Sequence, residues 1–273
     1  MNIDRSDLQG IGIASSTPFT NDVSAVTDEA RHVEQLGFTM LWRSGVLPMV
    51  EAAMEATERI PIGTGIIAVS NVPAADVVAT HHRLDRDHPS RCEVGLGGAH
   101  DAQPLRTLGT YLDTLDADGV PVGARVLAAL GPNMLDLARE RASGAYPYLV
   151  TSSFVADARA RLGDDRLLAV LLMTVPSTDR EVVRRAAAEP LGFLTRQGGY
   201  RRNLLRLGFE EPDIDGVSDR LLDGITAWGE PEEIAARIAE YRAAGADQVV
   251  LRILDVDGDM PATRQRLARA LLG

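Results

Sequence analysis

The stretch VLAALGPNMLDLA, residues 126–138, passes from an apolar strand directly into an amphipathic helix. Its first residues are small or apolar, and Met134 and Ala138 then lie four residues apart on one helical face. Pro132 suits the first turn of a helix, where the backbone amide has no partner to lose. A strand followed at once by a helix is one half of a βαβ unit. The stretch therefore predicts an α/β protein with a parallel sheet.

The same alternation recurs along the whole chain. Apolar runs predict eight strands, at residues 10–14, 39–42, 62–67, 91–96, 126–129, 145–149, 167–174 and 248–254. Amphipathic stretches predict helices at residues 26–36, 46–58, 74–86, 103–116, 133–143 and 154–162. Eight such units in 273 residues are typical of a (β/α)8 TIM barrel that forms a single domain over residues 1–273.

A long gap interrupts this alternation between the seventh and eighth strands. Its length of about 70 residues exceeds what one helix needs, so we expect a helical insertion at about residues 176–227. Residues 195–216 combine Gly198-Gly199 with several arginines, and we expect this segment to lie over the barrel mouth. Beyond the insertion, Pro231 marks the start of the helix that precedes the last strand.

Composition excludes several classes of chemistry. All 28 basic residues are arginine, so no lysine is present to form a Schiff base or to bind phosphate in a P-loop. A net charge of −11 argues against a nucleic-acid partner. The single cysteine, Cys92, forms no internal disulfide, and no HExxH or similar spacing predicts a metal site. With no apolar run long enough for a bilayer and no apolar leader, we expect a cytoplasmic protein without a membrane partner.

In barrels of this class the ligand site lies at the C-terminal ends of the strands, so the residues after each apolar run are the candidates. These are Ser15, Ser16, Arg43, Ser44 and the ranges 68–71, 97–100, 130–133 and 151–153.

Gly131 and Pro132 form one of these candidates. The first turn of a helix offers free backbone amides and a partial positive charge, which together suit a phosphate. A tight turn with nothing bound is the alternative. The glycines of GLGGAH, residues 95–100, also permit a close approach by a ligand or by another segment of backbone. They do not form the dinucleotide pattern, because the third glycine comes too early.

Two further groups are candidates by position. His100 follows a strand and a glycine cluster at the expected mouth. This position suits an acid, a base or a ligand contact, and a histidine without a functional role is the alternative. Tyr200, Arg201 and Arg202 are placed to close over an anionic substrate, although arginines on a helix commonly form a solvated face.

Several blocks of this chain, taken in order, resemble the bacterial luciferase-like superfamily and its branch of coenzyme F420-dependent oxidoreductases. The resemblance implies a TIM barrel with an insertion after the seventh strand and a deazaflavin lying across the mouth. The blocks are LGFTMLW (36–42), IPIGTGI (60–66), HPSRCEVGLGGAH (88–100), residues 126–151, YRRNLLRLGF (200–209) and residues 228–251.

The resemblance also implies which residues bind the cofactor. The turn after the fifth strand would receive the cofactor's phosphate. The end of the third strand would form a non-prolyl cis peptide behind the ring, and the end of the fourth strand would reach the ring's neighbourhood. The phosphate residues are Ala128, Ala129, Gly131 and Pro132, and the ring residues are Gly65, Ile66, Ala68, Gly98 and His100.

The chain also departs from the family's pattern. Relatives that oxidise sugar phosphates carry an Asp-His pair after the tryptophan of strand two, where this chain has Arg43 and Ser44. Sugar-phosphate oxidation is therefore not expected, and His100 is the remaining candidate for proton transfer.

The sequence thus predicts an oxidoreductase that transfers hydride between F420 and a small organic substrate. An FMN-dependent luciferase-like monooxygenase and a cofactor-binding protein without turnover are the alternatives. Dimers are common among luciferase-like barrels, which leaves a homodimer open.

Overall fold

A computed structural model describes residue 3 and residues 8–99 and 101–273, so His100 lies outside the described residues. Ten strands form a closed parallel sheet, in which β1 pairs with β10 and β10 pairs with β8. The strands are β1 (Gly10–Ala14), β2 (Leu41–Arg43), β3 (Ile62–Thr64), β4 (Ile67–Ala68), β5 (Cys92–Gly97), β6 (Arg125–Leu127), β7 (Gly144–Ala145), β8 (Leu167–Val175), β9 (Thr226–Trp228) and β10 (Gln248–Ile253). The predicted TIM barrel is confirmed: its eight strands are β1, β2, β3, β5, β6, β7, β8 and β10.

Helices surround the barrel, and their ends follow local sequence. Asp22 caps α1 by accepting from the amides of Ser24 and Ala25, and Gly37 ends it with a left-handed φ of 85°. The outer helices are α1 (Val23–Leu36), α2 (Leu47–Glu55), α3 (Ala74–Asp87), α4 (Pro104–Ala117), α5 (Pro132–Arg141), α6 (Ser152–Leu162), α11 (Pro231–Ala243) and α12 (Met260–Leu271). Within the described ranges, no helix has the length and apolar character needed to cross a bilayer.

The predicted strand at residues 62–67 is wrong in one respect, because it consists of two short strands. β3 pairs with β5 near its start, and β4 pairs with the end of β5 through Ile67 opposite Leu96. The peptide bond between Gly65 and Ile66 is cis and separates them. The non-prolyl cis bond implied at this place by the resemblance is therefore present.

The predicted strand at residues 145–149 is also shorter than expected. β7 ends at Ala145, because Pro147 has no amide proton with which to continue the ladder. Tyr148 makes only an isolated bridge to Leu171, and Leu149 takes a left-handed φ of 54°. The chain therefore leaves the sheet at the barrel mouth.

Alternation along the strands sorts side chains into two cores. Outward residues such as Ile13, Leu96 and Leu251 pack under the helices. Inward residues such as Trp42 and Val250 fill the barrel itself. The same alternation decides which residues at the strand ends face the mouth.

The insertion between β8 and α11 is helical, as predicted. It comprises α7 (Arg180–Thr195), α8 (Gly198–Arg206), α9 (Glu211–Asp215) and α10 (Asp219–Ile225), followed by β9. Its apolar side chains form a separate cluster with the end of β8, and β9 pairs with that end from Met173 to Val175.

Candidate active site

Small residues form a close-packed wall at the C-terminal end of the barrel. A Cβ atom added to Gly97 would lie 2.8 Å from Cβ of Ala128, and one added to Gly98 would lie 2.9 Å from Cβ of Ala68. Ile66 contacts the same two glycine positions, at 3.2 and 3.7 Å. The structure thus brings together four of the predicted residues, Ile66, Ala68, Gly98 and Ala128, and Ile66 is the largest side chain among them.

The N-terminus of α5, which we predicted to bind phosphate and call the phosphate seat, begins at the residues that the sequence indicates. Gly131 is the N-cap of α5 and Pro132 its first residue, and the Gly131 carbonyl accepts from the amides of Met134 and Leu135. In the described chain, the amides of Gly131 and Asn133 donate to no acceptor. The seat therefore presents two free donors and the positive end of a ten-residue helix.

Arg206 of α8 adds a positive charge to this seat. Its guanidinium nitrogens lie 3.8 and 3.9 Å from the place of a Cβ on Gly131, and Nη1 donates to the Leu130 carbonyl at 3.0 Å. The same nitrogen donates to Oδ1 of Asn203 at 3.2 Å. Asn203 is 1% exposed, and its Nδ2 has no partner among the residues described. A buried amide donor without an acceptor lies next to the predicted seat.

Sequence reasoning missed Arg206 and Asn203. Their spacing of three places them on one face of α8, but only the packing of the insertion shows which face meets the barrel. The two arginines that were candidates for closing over an anionic substrate are engaged elsewhere. Arg201 pairs with Glu211 and Asp215, and Arg202 donates to the carbonyl of Gly198, which ties it to its own helix.

Ala129 has a different environment from the other predicted phosphate residues. It is completely buried, and its side chain packs in the outer core beneath the helices. Only its backbone is left to meet a ligand, and that contact stays a prediction.

The barrel floor beneath the mouth is aromatic. The rings of Trp42 and Tyr146 stack at 4.2 Å, and Nε1 of Trp42 donates to Oε1 of Gln248 at 2.8 Å. The Tyr146 hydroxyl lies 3.1 Å from the place of a Cβ on Gly65 and has no partner among the described residues. Burial raises the pKa of Tyr146 well above its ordinary value, so the phenol stays protonated.

Arg43 does not face the mouth, which corrects the placement suggested by its position after strand two. It is 1% exposed and donates to Glu29 at 2.7 Å and to Oγ of Ser15 at 3.0 Å. Arg264 binds the other oxygen of Glu29. Burial opposes ionisation of Glu29, but the charges of Arg264 and Arg43 and the bonds from Ser15 and Ser16 hold its pKa below the usual value.

The other predicted mouth residues have local roles. Thr151 caps α6 by accepting from the amide of Phe154 at 3.3 Å. Ser70 donates to the carbonyl of Gly98 at 3.1 Å and so ties the loop after β4 to the end of β5.

Comparison with known proteins relates part of the sequence to a family and the fold to solved structures. Residues 117–248 match the family model described as luciferase-like monooxygenase. Over that stretch the chain is similar to the luciferase-like monooxygenases. No curated protein matches the chain at a significant level.

Solved structures share the luciferase-like fold over nearly the full length. An F420-dependent secondary alcohol dehydrogenase in complex with an F420–acetone adduct is 14% identical with a TM-score of 0.75, covering 97% of this chain and 98% of that one. The F420-dependent tetrahydromethanopterin reductase of Methanopyrus kandleri is 15% identical with a TM-score of 0.68 and the same coverage. The oxygenating constituent of 3,6-diketocamphane monooxygenase from Pseudomonas putida, in complex with FMN, is 12% identical with a TM-score of 0.66, covering 96% and 97%.

Proposed function

We propose that this protein is an oxidoreductase that binds coenzyme F420 at the barrel mouth and transfers hydride between the deazaflavin and a small organic substrate. The observation that carries the proposal is the anion seat at the start of α5, where free amides, Arg206 and the unpaired amide of Asn203 lie together. The fold shared with two F420-dependent enzymes supports it.

The residues present fit such a cofactor. Gly131, Pro132 and the backbone of Ala129 and Ala128 would hold the phosphate, with Arg206 supplying the charge that lysine cannot supply here. Gly65, Ile66, Ala68 and Gly98 would form the flat wall against the ring. When bound, the deazaflavin supplies a carbon that accepts or donates hydride.

The chain's own residues would bind and orient the cofactor and would exclude water from it. The wall of small residues lets a planar ring approach the backbone, and the stacked pair of Trp42 and Tyr146 closes the barrel beneath it. Insertion helix α8 reaches the seat through Arg206 and so covers the mouth from one side. We assign His100 as the residue that would move a proton during turnover.

FMN is the second candidate cofactor, because it also ends in a phosphate and an FMN-bound monooxygenase shares the fold. A cofactor-binding protein without turnover is the third reading, since Arg43 and Ser44 stand where some relatives carry the Asp-His pair.

The test is titration of the purified protein with F420 and with FMN, following the fluorescence of each cofactor. We expect F420 to bind and Arg206→Gln to weaken it by about 10-fold or more, because a charge-assisted bond contributes about 1.5–3 kcal/mol. Arg202→Gln is the matched control on the same helix and is expected to leave affinity unchanged. Tight FMN binding without F420 binding would overturn the choice of cofactor.

Turnover is tested separately with a panel of enones, alcohols and imines. Hydride transfer with any of them removes the carrier alternative. His100→Ala is expected to lower turnover more than F420 affinity, and equal losses in both would make His100 a binding contact only.

A further inference from the structure

Arg252 brings a positive charge to the inside of the barrel mouth. It lies in β10 two residues after Val250, whose side chain belongs to the barrel interior, whereas Leu251 and Ile253 pack outward under the helices. By this alternation Arg252 points inward, one layer above Val250. It is half-buried, and its guanidinium donates to the carbonyl of Ser15.

Among the residues that the structure describes, no carboxylate neutralises the charge of Arg252. Over residues 8–99 and 101–273, no acid lies within ion-pair distance of Arg252. Glu29, a buried acid that contacts Ser15, is already shared by two other arginines. Asp255 accepts from amides of its own loop, and Asp257 pairs with Arg266. Within the part of the chain that the structure describes, Arg252 therefore has donors left for a ligand.

Two tyrosines line the barrel interior near this cation, and a third meets one of them. Tyr146 belongs to the same interior cluster as Val250, and Tyr148 bridges Leu171, which pairs with Val250. Both tyrosines therefore lie near the layer below Arg252, whose charge counteracts the rise in pKa that burial gives both phenols. The rings of Tyr148 and Tyr200 meet edge to face at 6.3 Å, which joins the insertion to the mouth. The Tyr146 hydroxyl, on a side chain only 3% exposed, has no hydrogen-bond partner in the described part of the chain.

We propose that Arg252 and the hydroxyl of Tyr146, with Tyr148 and Tyr200 as aromatic walls, bind the carboxylate of the substrate, which makes that substrate a small planar organic acid. A carboxylate accepts two bonds from an arginine fork and a third from a phenol. The compact aromatic surroundings fit a flat monoanion, and the seat for a phosphate lies elsewhere, at α5. Because the Tyr146 hydroxyl is shielded from solvent, a ligand reaches it after neighbouring side chains shift.

This inference names the substrate class for the proposed function and rests on it for the chemistry that follows binding. It assigns Arg252 a role in specificity. An arginine that merely held Ser15 in place would stabilise the fold without discriminating an anionic ligand from a neutral one.

The experiment uses benzoate and benzamide, which share a shape and differ in charge. Binding is measured by calorimetry with and without F420. We expect the unmodified protein to bind benzoate at least 10-fold more tightly than benzamide. Arg252→Gln is expected to bring the ratio of these two affinities close to one. Arg252→Lys is expected to keep part of the preference, and Tyr146→Phe to lower benzoate affinity several-fold. Arg269→Gln, an exposed change in α12, is the control and is expected to leave the ratio unchanged.

A ratio close to one in the unmodified protein, or an unchanged ratio in Arg252→Gln, overturns the inference. So does a loss of F420 affinity in Arg252→Gln with the ratio intact, because Arg252 would then be a cofactor contact. F420 binding without a benzoate preference contradicts this inference alone. An Arg252-dependent preference in a protein that binds neither F420 nor FMN supports the anion site and contradicts the proposed function.

Discussion

Glu93 makes the stability of this protein depend on pH, because a carboxyl group is enclosed in the barrel. Glu93 lies in β5 and is 1% exposed, with Oγ of Ser143 2.8 Å from its carboxyl. The same Oγ lies 2.9 Å from the carbonyl oxygen of Arg125, which can only accept. The single hydroxyl proton of Ser143 is therefore shared between the carboxyl of Glu93 and that carbonyl, and it gives an ionised carboxylate little stabilisation. Burial raises the pKa of Glu93 to about 8, in agreement with a protonated group.

The size of this pH dependence follows from the difference between the pKa of Glu93 in the unfolded and the folded protein. The pKa rises from 4.5 when unfolded to about 8 when folded, so the stabilisation is complete below pH 4.5 and is lost as pH rises through 8. Each pH unit in that window removes about 1.4 kcal/mol of unfolding free energy, or about 5 kcal/mol in total. Glu29 contributes with the opposite sign, since its pKa is lowered and its stabilisation is lost as pH falls below its ordinary value.

The assay is urea unfolding of the unmodified protein and of Glu93→Gln at pH 5, 6, 7 and 8. Glutamine is neutral in both states, so the unmodified protein should lose about 1.4 kcal/mol per pH unit relative to the variant. Glu58→Gln, an exposed change, is the matched control. Its free energy of unfolding should vary with pH in parallel with that of the unmodified protein. Parallel curves for Glu93→Gln would refute the assignment of a buried, protonated carboxyl.

Three further changes test the packing around the barrel. Glu29→Gln leaves two buried guanidinium groups without their carboxylate, and we expect a loss of about 3–5 kcal/mol in urea unfolding at pH 7; an unchanged midpoint would contradict the buried triad. Gly95→Ala places a Cβ 1.9 Å from the backbone oxygen of Thr64, so we expect a loss of at least about 3 kcal/mol or failure to fold. Gly109→Ala in α4 meets nothing within 4 Å and is expected to raise stability by about 0.5–1 kcal/mol, as thermal unfolding of both variants will show.

Much of the fold could be predicted because its signals are local. The alternation of apolar runs and amphipathic stretches located eight barrel strands, and the predicted bounds of β1 are those observed. Gly131 and Pro132 mark the start of α5 by their own backbone chemistry. The division of the third strand at Gly65 and the early end of β7 were missed, because an apolar run does not show where its ladder partners end.

The sequence by itself determined the class of barrel, the place of the insertion and the small residues at the strand ends, since each depends on residues near one another in the chain. Tertiary structure alone decided which charges reach the mouth. Strand alternation turns Arg43 outward to Glu29 and Arg252 inward, and the packing of α8 brings Arg206 to Gly131 across 75 residues of sequence. The direction of an arginine side chain is set by the strand register and helix packing around it, and a pattern of residue types does not contain either one.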